Sequence, residues 1–388
     1  MQLILRCAAA IFAAGFWTSA SLADDRSLCS GSDGTADDRI AACTRLIESE
    51  KVEGAGLAQA LQNRGMDYAA RGDKERAIAD YSRAIELNPS GAAAFLGRGN
   101  SYYARKDYDR AIADYSAAIK IDPNSAAAYH NRGNAHRAKN DTDRAISDYG
   151  EAIRIDPKDA TAFYNRGNLY YRGKDYDRAI ADFSDAIRLN PDYASAYNGR
   201  GNLYLLKHEV ERAIADYSAV IRLDPKRTAA LINRGNLYRD RKEYDRAIAD
   251  YSEAIRRNPK YALAYNNRGS AHRFNGAINQ AIADYSEAID LDPKYVTAYS
   301  NRANAYLLES DLEKAIADFD AVIRLDPRQL GALISRANAY RDRKDYDRAI
   351  ADYSEALLLD PKNATTYNYR GSVYQAKNDI DRAIARLL

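Results

Sequence analysis

Histidine and cysteine are scarce in this chain, with four and three copies in 388 residues. No serine or cysteine is paired with a histidine in a geometry that recurs, and no glycine-rich phosphate loop is present. Asp73, Asp107, Asp141 and Asp175 stand where helix caps belong, not where general acids would. The sequence therefore reads as a protein that is not an enzyme and that needs no cofactor or metal. An excess of charge is lacking too: 57 Lys+Arg against 55 Asp+Glu leaves +2. That balance argues against a nucleic-acid partner, which calls for a concentrated basic face. After the first 23 residues no segment approaches the ~20 apolar residues of a membrane span.

Proline is also sparse, and its placement organises everything else. The nine prolines are Pro89, Pro123, Pro157, Pro191, Pro225, Pro259, Pro293, Pro327 and Pro361, each 34 residues after the last. A helical pattern with this period is the mark of a stacked repeat array.

Residues 160–193 show the unit at its clearest. Phe163, Gly167 and Tyr170 share one face of a first helix. After the Arg172-Gly173-Lys174 turn, Asp175 is placed to cap a second helix, and Asp177 adds negative charge near its positive end. Ala179, Phe183, Ala186 and Ile187 form the apolar stripe of that second helix, and Asn190-Pro191 ends it. Neither helix buries its stripe alone, so each hairpin has to stack on its neighbours.

This unit resembles the tetratricopeptide repeat. The family's spacing of aromatic, small and proline positions is met by Phe163, Gly167, Tyr170, Ala179, Phe183, Ala186 and Pro191. Nine full units over 58–363 start at Ala58, Ala92, Ala126, Ala160, Ala194, Thr228, Ala262, Val296 and Leu330, and a partial tenth covers 364–388. One departure recurs: arginine, not the family's usual leucine, precedes the small residue of every first helix. The resemblance implies an all-α fold, a right-handed superhelical solenoid of helix-turn-helix repeats. Its concave face, lined by the first helices, would bind peptides or protein segments.

The start of the chain reads differently. Residues 1–23 look like a secretory signal, with Arg6, the apolar run from Cys7 to Trp17, and Ser21-Leu22-Ala23 as a cleavage site. The mature chain is then exported, to the periplasm or, alternatively, secreted. Cys7 leaves with the signal, so Cys29 and Cys43 remain as an even pair. A disulfide is favoured over two small buried thiols, and no histidine lies near enough for a metal site. Residues 24–57 form an N-terminal cap in which 39–47 resembles the second helix of a degenerate hairpin. Residues 48–57 supply a linker, and from Ala58 on the register holds as one elongated domain. The short tenth unit ends in Arg386-Leu387-Leu388, which points to fraying or end-to-end self-association.

Two polar rows repeat with the units. Arginine recurs from Arg64 to Arg370, and aspartate one residue before the second-helix aromatic from Asp80 to Asp352. The planar guanidinium suits bidentate pairing with carboxylate, so a structural ladder is the reading preferred to a ligand site. Asparagine precedes that arginine at Asn63, Asn131, Asn165, Asn233, Asn267 and Asn301. It follows the small residue at Asn100, Asn134, Asn168, Asn202, Asn236, Asn304 and Asn338. An amide both donates and accepts, so these thirteen are the candidate peptide-binding residues, set against the plain reading of exposed polar surface. The family's carboxylate clamp is matched only in its asparagines, with His130 and Asn198 where it has lysine. Arg137, Arg172, Arg239, Arg273 and Arg341, offset by Asp240 and Asp342, suggest a mild preference for acidic segments. His136 and His272 take core positions, His130 the inner face and His208 a turn. The function read from all this is a protein-interaction scaffold that binds extended segments along the groove. The alternative is an adaptor or regulatory subunit of an envelope complex, acting through stack ends or convex face.

Overall fold

The computed structural model describes residues 23–379 apart from 32 and 50, together with 382 and 383. The signal segment expected over 1–23 lies, except for Ala23, outside the described residues, as does the chain end from 384. The fold is all-α, and the described residues contain no strand.

Residues 23–30 are helical (α1), and α2 runs Ala36–Glu48. Then come α3 (Gly54–Ala70), α4 (Lys74–Leu87), α5 (Ala92–Ala104), α6 (Tyr108–Ile121), α7 (Ala126–Ala138), α8 (Thr142–Ile155), α9 (Ala160–Arg172) and α10 (Tyr176–Leu189). After α11 (Ala194–Leu206) follow α12 (Val210–Leu223), α13 (Thr228–Asp240), α14 (Tyr244–Arg257), α15 (Ala262–Phe274) and α16 (Ile278–Leu291). The last are α17 (Val296–Leu308), α18 (Leu312–Leu325), α19 (Leu330–Asp342), α20 (Tyr346–Leu359) and α21 (Ala364–Ala376). Odd-numbered helices from α3 are first helices and even-numbered ones second helices.

Packing divides the chain after Ala196 into two compact units. The sequence leads one to expect a single elongated domain. A stack whose members touch only their neighbours has no central core to prevent such a division. The first helices α3, α5, α7, α9, α13, α15, α17 and α19 each pack on the second helix that follows, and second helices pack on the next first helix, as α4 on α5 and α14 on α15. Successive first helices also meet (α3 with α5, α5 with α7, α13 with α15, α15 with α17), an approach that no pair of second helices matches. First helices therefore line the tighter side of each unit.

The packing is as the stripe predicts. Ala179, Phe183 and Ala186 are fully buried, and Gly167 is small because a Cβ there would stand 3.1 Å from the Phe183 ring. At Gly99 the same atom would come within 2.7 Å of Tyr115 Cε1. Asp73, Asp107, Asp141 and Asp175 each accept from the backbone N–H three residues on, which makes them caps. The residue before proline is extended, as at Asn190 (φ −132°, ψ 93°), so each second helix stops there.

The turn inside each hairpin holds a surprise. Its left-handed residue is Lys174 (φ 62°), not the adjacent Gly173, and Asp175 N–H closes the helix end on Tyr170 O at 2.9 Å. The equivalent positions Lys106, Asn140, His208, Lys242, Ser310, Lys344 and Asn378 are also left-handed, while Gly72 and Gly276 are the glycines of the series. A side chain with a Cβ is strained there. Lys174→Gly should therefore stabilise the protein by about 0.5–1 kcal/mol, and Gly72→Lys should cost a similar amount. Denaturant midpoints of the two variants against the parent check both signs.

The N-terminal segment differs from the expected linker over 48–57. α2 continues to Glu48 and α3 starts at Gly54, because Val52 packs against the core that holds Leu46, and Leu57 against the one that holds Leu61. α2 occupies the place of a second helix: Arg39 pairs with buried Asp67 of α3, and Thr44 Oγ accepts from Arg64 Nη1 at 3.0 Å. Arg45 is paired with Asp25, and the Cα atoms of Cys29 and Cys43 lie 4.9 Å apart, which brings α1 onto α2.

Candidate functional site

The arginine row is committed to the fold. Arg64, Arg98, Arg132, Arg166, Arg200, Arg234, Arg268, Arg302 and Arg336 each meet the aspartate sixteen residues on, Asp80 through Asp352. The fork is bidentate: Arg166 donates from Nε at 2.9 Å and from Nη2 at 2.8 Å to the two oxygens of Asp182. That hydrogen bond holds the guanidinium above its ordinary range in spite of burial. The pairing stays inside one repeat, so Asp148 belongs to Arg132 and not to Arg166.

The third nitrogen does what the sequence did not disclose. Nη1 of Arg98, Arg132, Arg234, Arg268, Arg302 and Arg370 donates at 2.7–3.1 Å to the serine sixteen residues back, on the preceding second helix. Asp320 takes that place for Arg336, at 2.6 Å. Except at Arg370, where the sequence has no aspartate sixteen residues on, each such arginine is thus a staple through three helices. At Arg166 the position sixteen back is Gly150, whose hypothetical Cβ would lie 3.6 Å from Nη1, so the staple to the preceding repeat is missing there.

The asparagines lie on the first helices, where they bridge one helix to the next. Asn131 Nδ2 donates to Asn100 Oδ1 at 2.9 Å, Asn165 to Asn134 at 3.4 Å, and Asn267 to Asn236 at 3.2 Å. Asn301 reaches Asn266 at 2.9 Å. Exposure is uneven. Asn100 and Asn304 are exposed, Asn63, Asn131, Asn134, Asn168, Asn202, Asn233, Asn236, Asn301 and Asn338 half-buried, and Asn165 and Asn267 buried. The expectation that all face outward, so that their removal would spare stability, fails for Asn165 and Asn267. Asn165 also accepts from Arg137 Nη1 at 3.2 Å, and Asn267 from Asn266 Nδ2 at 3.2 Å. Asn63 is turned to the N-terminal cap, donating to Cys29 O at 3.0 Å.

Asn100, Asn131 and Asn134 line, with Tyr103 and Tyr115, an open recess of about 240 Å³ on this face. Nearby, His130 Nδ1 is 2.7 Å from Asp159 Oδ2, and its ring stands edge-on to Tyr149. Burial works to raise the Asp159 carboxyl, but hydrogen bonds from His130 and from the Ala162 and Thr161 N–H groups bring it below its ordinary value. His136 and His272 are packed inward, and burial pushes both imidazoles down. Of the scattered cations, Arg239 and Arg341 are paired with Asp240 and Asp342. Arg273 covers the Phe274 ring at 4.4 Å, while exposed Arg172 sits one position off the row formed by Arg137, Arg239, Arg273 and Arg341. Among the described residues no His, Cys, Asp and Glu group is arranged to hold a metal ion, and no helix is long and apolar enough to cross a membrane.

Comparison with known proteins yields the following. Family models described as tetratricopeptide repeat match residues 63–126, 115–147, 194–227 and 296–329. Another, described as TPR repeat, matches 133–174, 167–208, 235–276, 269–309 and 337–386. No curated protein matches the chain. Among solved structures, the C-terminal part of a TPR repeat-containing protein from Cytophaga hutchinsonii is 20% identical with a TM-score of 0.54, over 61% of this chain and 97% of that one. YrrB, described as a TPR protein with an unusual peptide-binding site, is 23% identical with a TM-score of 0.44, over 47% of this chain and 95% of its own. The MamA protein is 25% identical with a TM-score of 0.41, over 44% and 92%. The first of these supports the helix-pair fold.

Proposed function

Because the chain belongs to the tetratricopeptide repeat family, we propose that it is a protein-interaction scaffold whose first-helix face holds an extended polypeptide. The observation that carries this is the run of amides bridging successive first helices, which opens at Asn100, Asn131 and Asn134 into a recess. An extended chain offers amide and carbonyl groups at regular intervals, and amides spaced along stacked helices meet several of them together. Each such bond contributes only about 0.5–1.5 kcal/mol, so affinity has to come from many.

The variants to use are Asn131, Asn233 and Asn301 to alanine together, since these are half-buried and none of them accepts a hydrogen bond from a tyrosine hydroxyl in the core. The partner is recovered by affinity capture and then titrated calorimetrically. The triple variant should bind at least tenfold more weakly, with a melting temperature within a few degrees of the parent. Equal affinity with an intact fold would move the site to the convex face or the stack ends, as an adaptor would use.

From the signal-like pattern of residues 1–23 we also propose that the mature chain is exported, to the periplasm or, alternatively, secreted. That reading takes Cys29 and Cys43 to be bonded to each other, which the short Cα separation permits. Thiol titration of the denatured protein without reductant should find no free thiol.

A further inference from the structure

We infer that the aromatic residue of the second helix sets the chemical direction of the groove asparagine beside it, so that tyrosine repeats turn the amide nitrogen to the partner and phenylalanine repeats turn the carbonyl oxygen. The inference rests on the groove reading above and gives it a partner class: an extended segment rich in carboxylates and other acceptors.

The pattern has no exception among the seven repeats with asparagine after the small residue of the first helix. Where the aromatic is Tyr115, Tyr149, Tyr217, Tyr251 or Tyr353, its hydroxyl donates to Oδ1 of Asn100, Asn134, Asn202, Asn236 or Asn338, at 2.6–2.9 Å. Where it is Phe183 or Phe319, no hydroxyl exists. Asn168 and Asn304 then turn to donate Nδ2 to Tyr164 O at 3.0 Å and to Ser300 O at 2.8 Å, one turn back on their own helix. An amide carries one oxygen acceptor and two N–H donors, so the inward bond sets what is left for the groove. The five tyrosine repeats leave both Nδ2 hydrogens, and the two phenylalanine repeats leave Oδ1 with one hydrogen.

The tyrosines are suited to act as fixed donors. Burial pushes the phenols of Tyr115, Tyr149 and Tyr251 well above their ordinary value and that of Tyr353 up to about 12, so the proton stays in place at any physiological pH. Charge follows this division in part. Three residues after Asn134, Asn236 and Asn338 stand Arg137, Arg239 and Arg341, the last two beside Asp240 and Asp342, whereas Tyr103 and Leu205 stand after Asn100 and Asn202, and Tyr171 and Leu307 after Asn168 and Asn304. Three of the five donor repeats thus add a guanidinium, neither phenylalanine repeat has one at this position, and amide N–H and guanidinium both suit carboxylate or carbonyl oxygen. The tyrosines are positioning residues: they touch the asparagine, not the partner.

The test uses exchanges that the array already contains, Tyr251→Phe and Phe183→Tyr, so either ring fits the core. In crystal structures of the two variants, the Asn236 amide should turn to the Ile232 carbonyl, and the Asn168 amide should leave Tyr164 O for the introduced hydroxyl. Amides that stay in place in both variants overturn the inference. Binding is read by fluorescence anisotropy with labelled (Glu-Gly)5, and with (Lys-Gly)5 as the opposite charge. The full chain should prefer the glutamate peptide by tenfold or more. The double variant Tyr149→Phe, Tyr251→Phe should lose about tenfold of that affinity, and Phe183→Tyr, Phe319→Tyr should gain. Amides that turn without changing affinity would refute the role in recognition while sparing the groove. A parent that binds neither peptide would refute the acidic partner class together with the groove reading.

Discussion

Asp182→Ala is expected to destabilise the first unit by about 3 kcal/mol or somewhat more. The carboxylate is buried, and its removal strands the Arg166 guanidinium, whose side chain is only 21% exposed, beside apolar surface. Arg166→Ala should also be destabilising, since it leaves the buried Asp182 carboxylate without its partner. The double variant should cost less than the sum of the two, because the second change removes the stranded partner. Asp148→Ala combined with Arg166→Ala should instead be additive, as Asp148 serves Arg132. Replacing both partners, Arg166→Met with Asp182→Leu, should recover most of the loss, as buried ion pairs often exchange for apolar residues at little cost. Urea titrations of these variants, with hydrogen exchange to localise the effect, decide it. A neutral Asp182→Ala would mean that the row is ornamental.

The second large effect belongs to the N-terminal cap. Losing a bond between Cys29 and Cys43, fourteen positions apart, should cost roughly 3 kcal/mol through the freed loop. The loss should be local, uncovering Leu46 and Ala60 at the end of the stack. Cys29→Ser with Cys43→Ser should show it under oxidising conditions, and reductant should bring the parent down to the same level while leaving the variant unchanged. Indifference of the parent to reductant would sink the idea.

The sequence carried the fold because one rule, aromatic against small with proline at the end, is restated every 34 residues. The aspartate caps and the pairing of the arginine and aspartate rows were legible for the same reason, whereas the choice of Asp182 over Asp148 for Arg166 came only with the structure. What stayed hidden was carried by residues whose chemistry is bland. Ser218 is an ordinary surface serine until the stack brings it within 2.7 Å of Arg234 Nη1 from the next repeat. Phe183 and Tyr217 are equivalent as core aromatics, and their difference matters only once Asn168 and Asn202 are seen to answer it. The left-handed residue of the Arg172-Gly173-Lys174 turn is Lys174 and not the glycine beside it, because hairpin geometry sets the position and the stack tolerates the strain. The burial of Asn165 and Asn267 depends on how closely successive first helices approach, which no single helix reports.

Gly150 gives the first unit a seam. Repeated rungs of equal strength share a load evenly, and a ladder with one rung shortened yields at that rung. Between α8 and α10 the Arg166 clasp holds only its own repeat, so thermal breathing of the stack should concentrate there and divide the unit into two blocks that fluctuate separately. A bound polypeptide lying across Asn131 and Asn165 would span that seam from outside. The array would then be stiffened by its cargo at a joint that lacks the arginine staple and is held by the lighter bridges from Arg137 and His130.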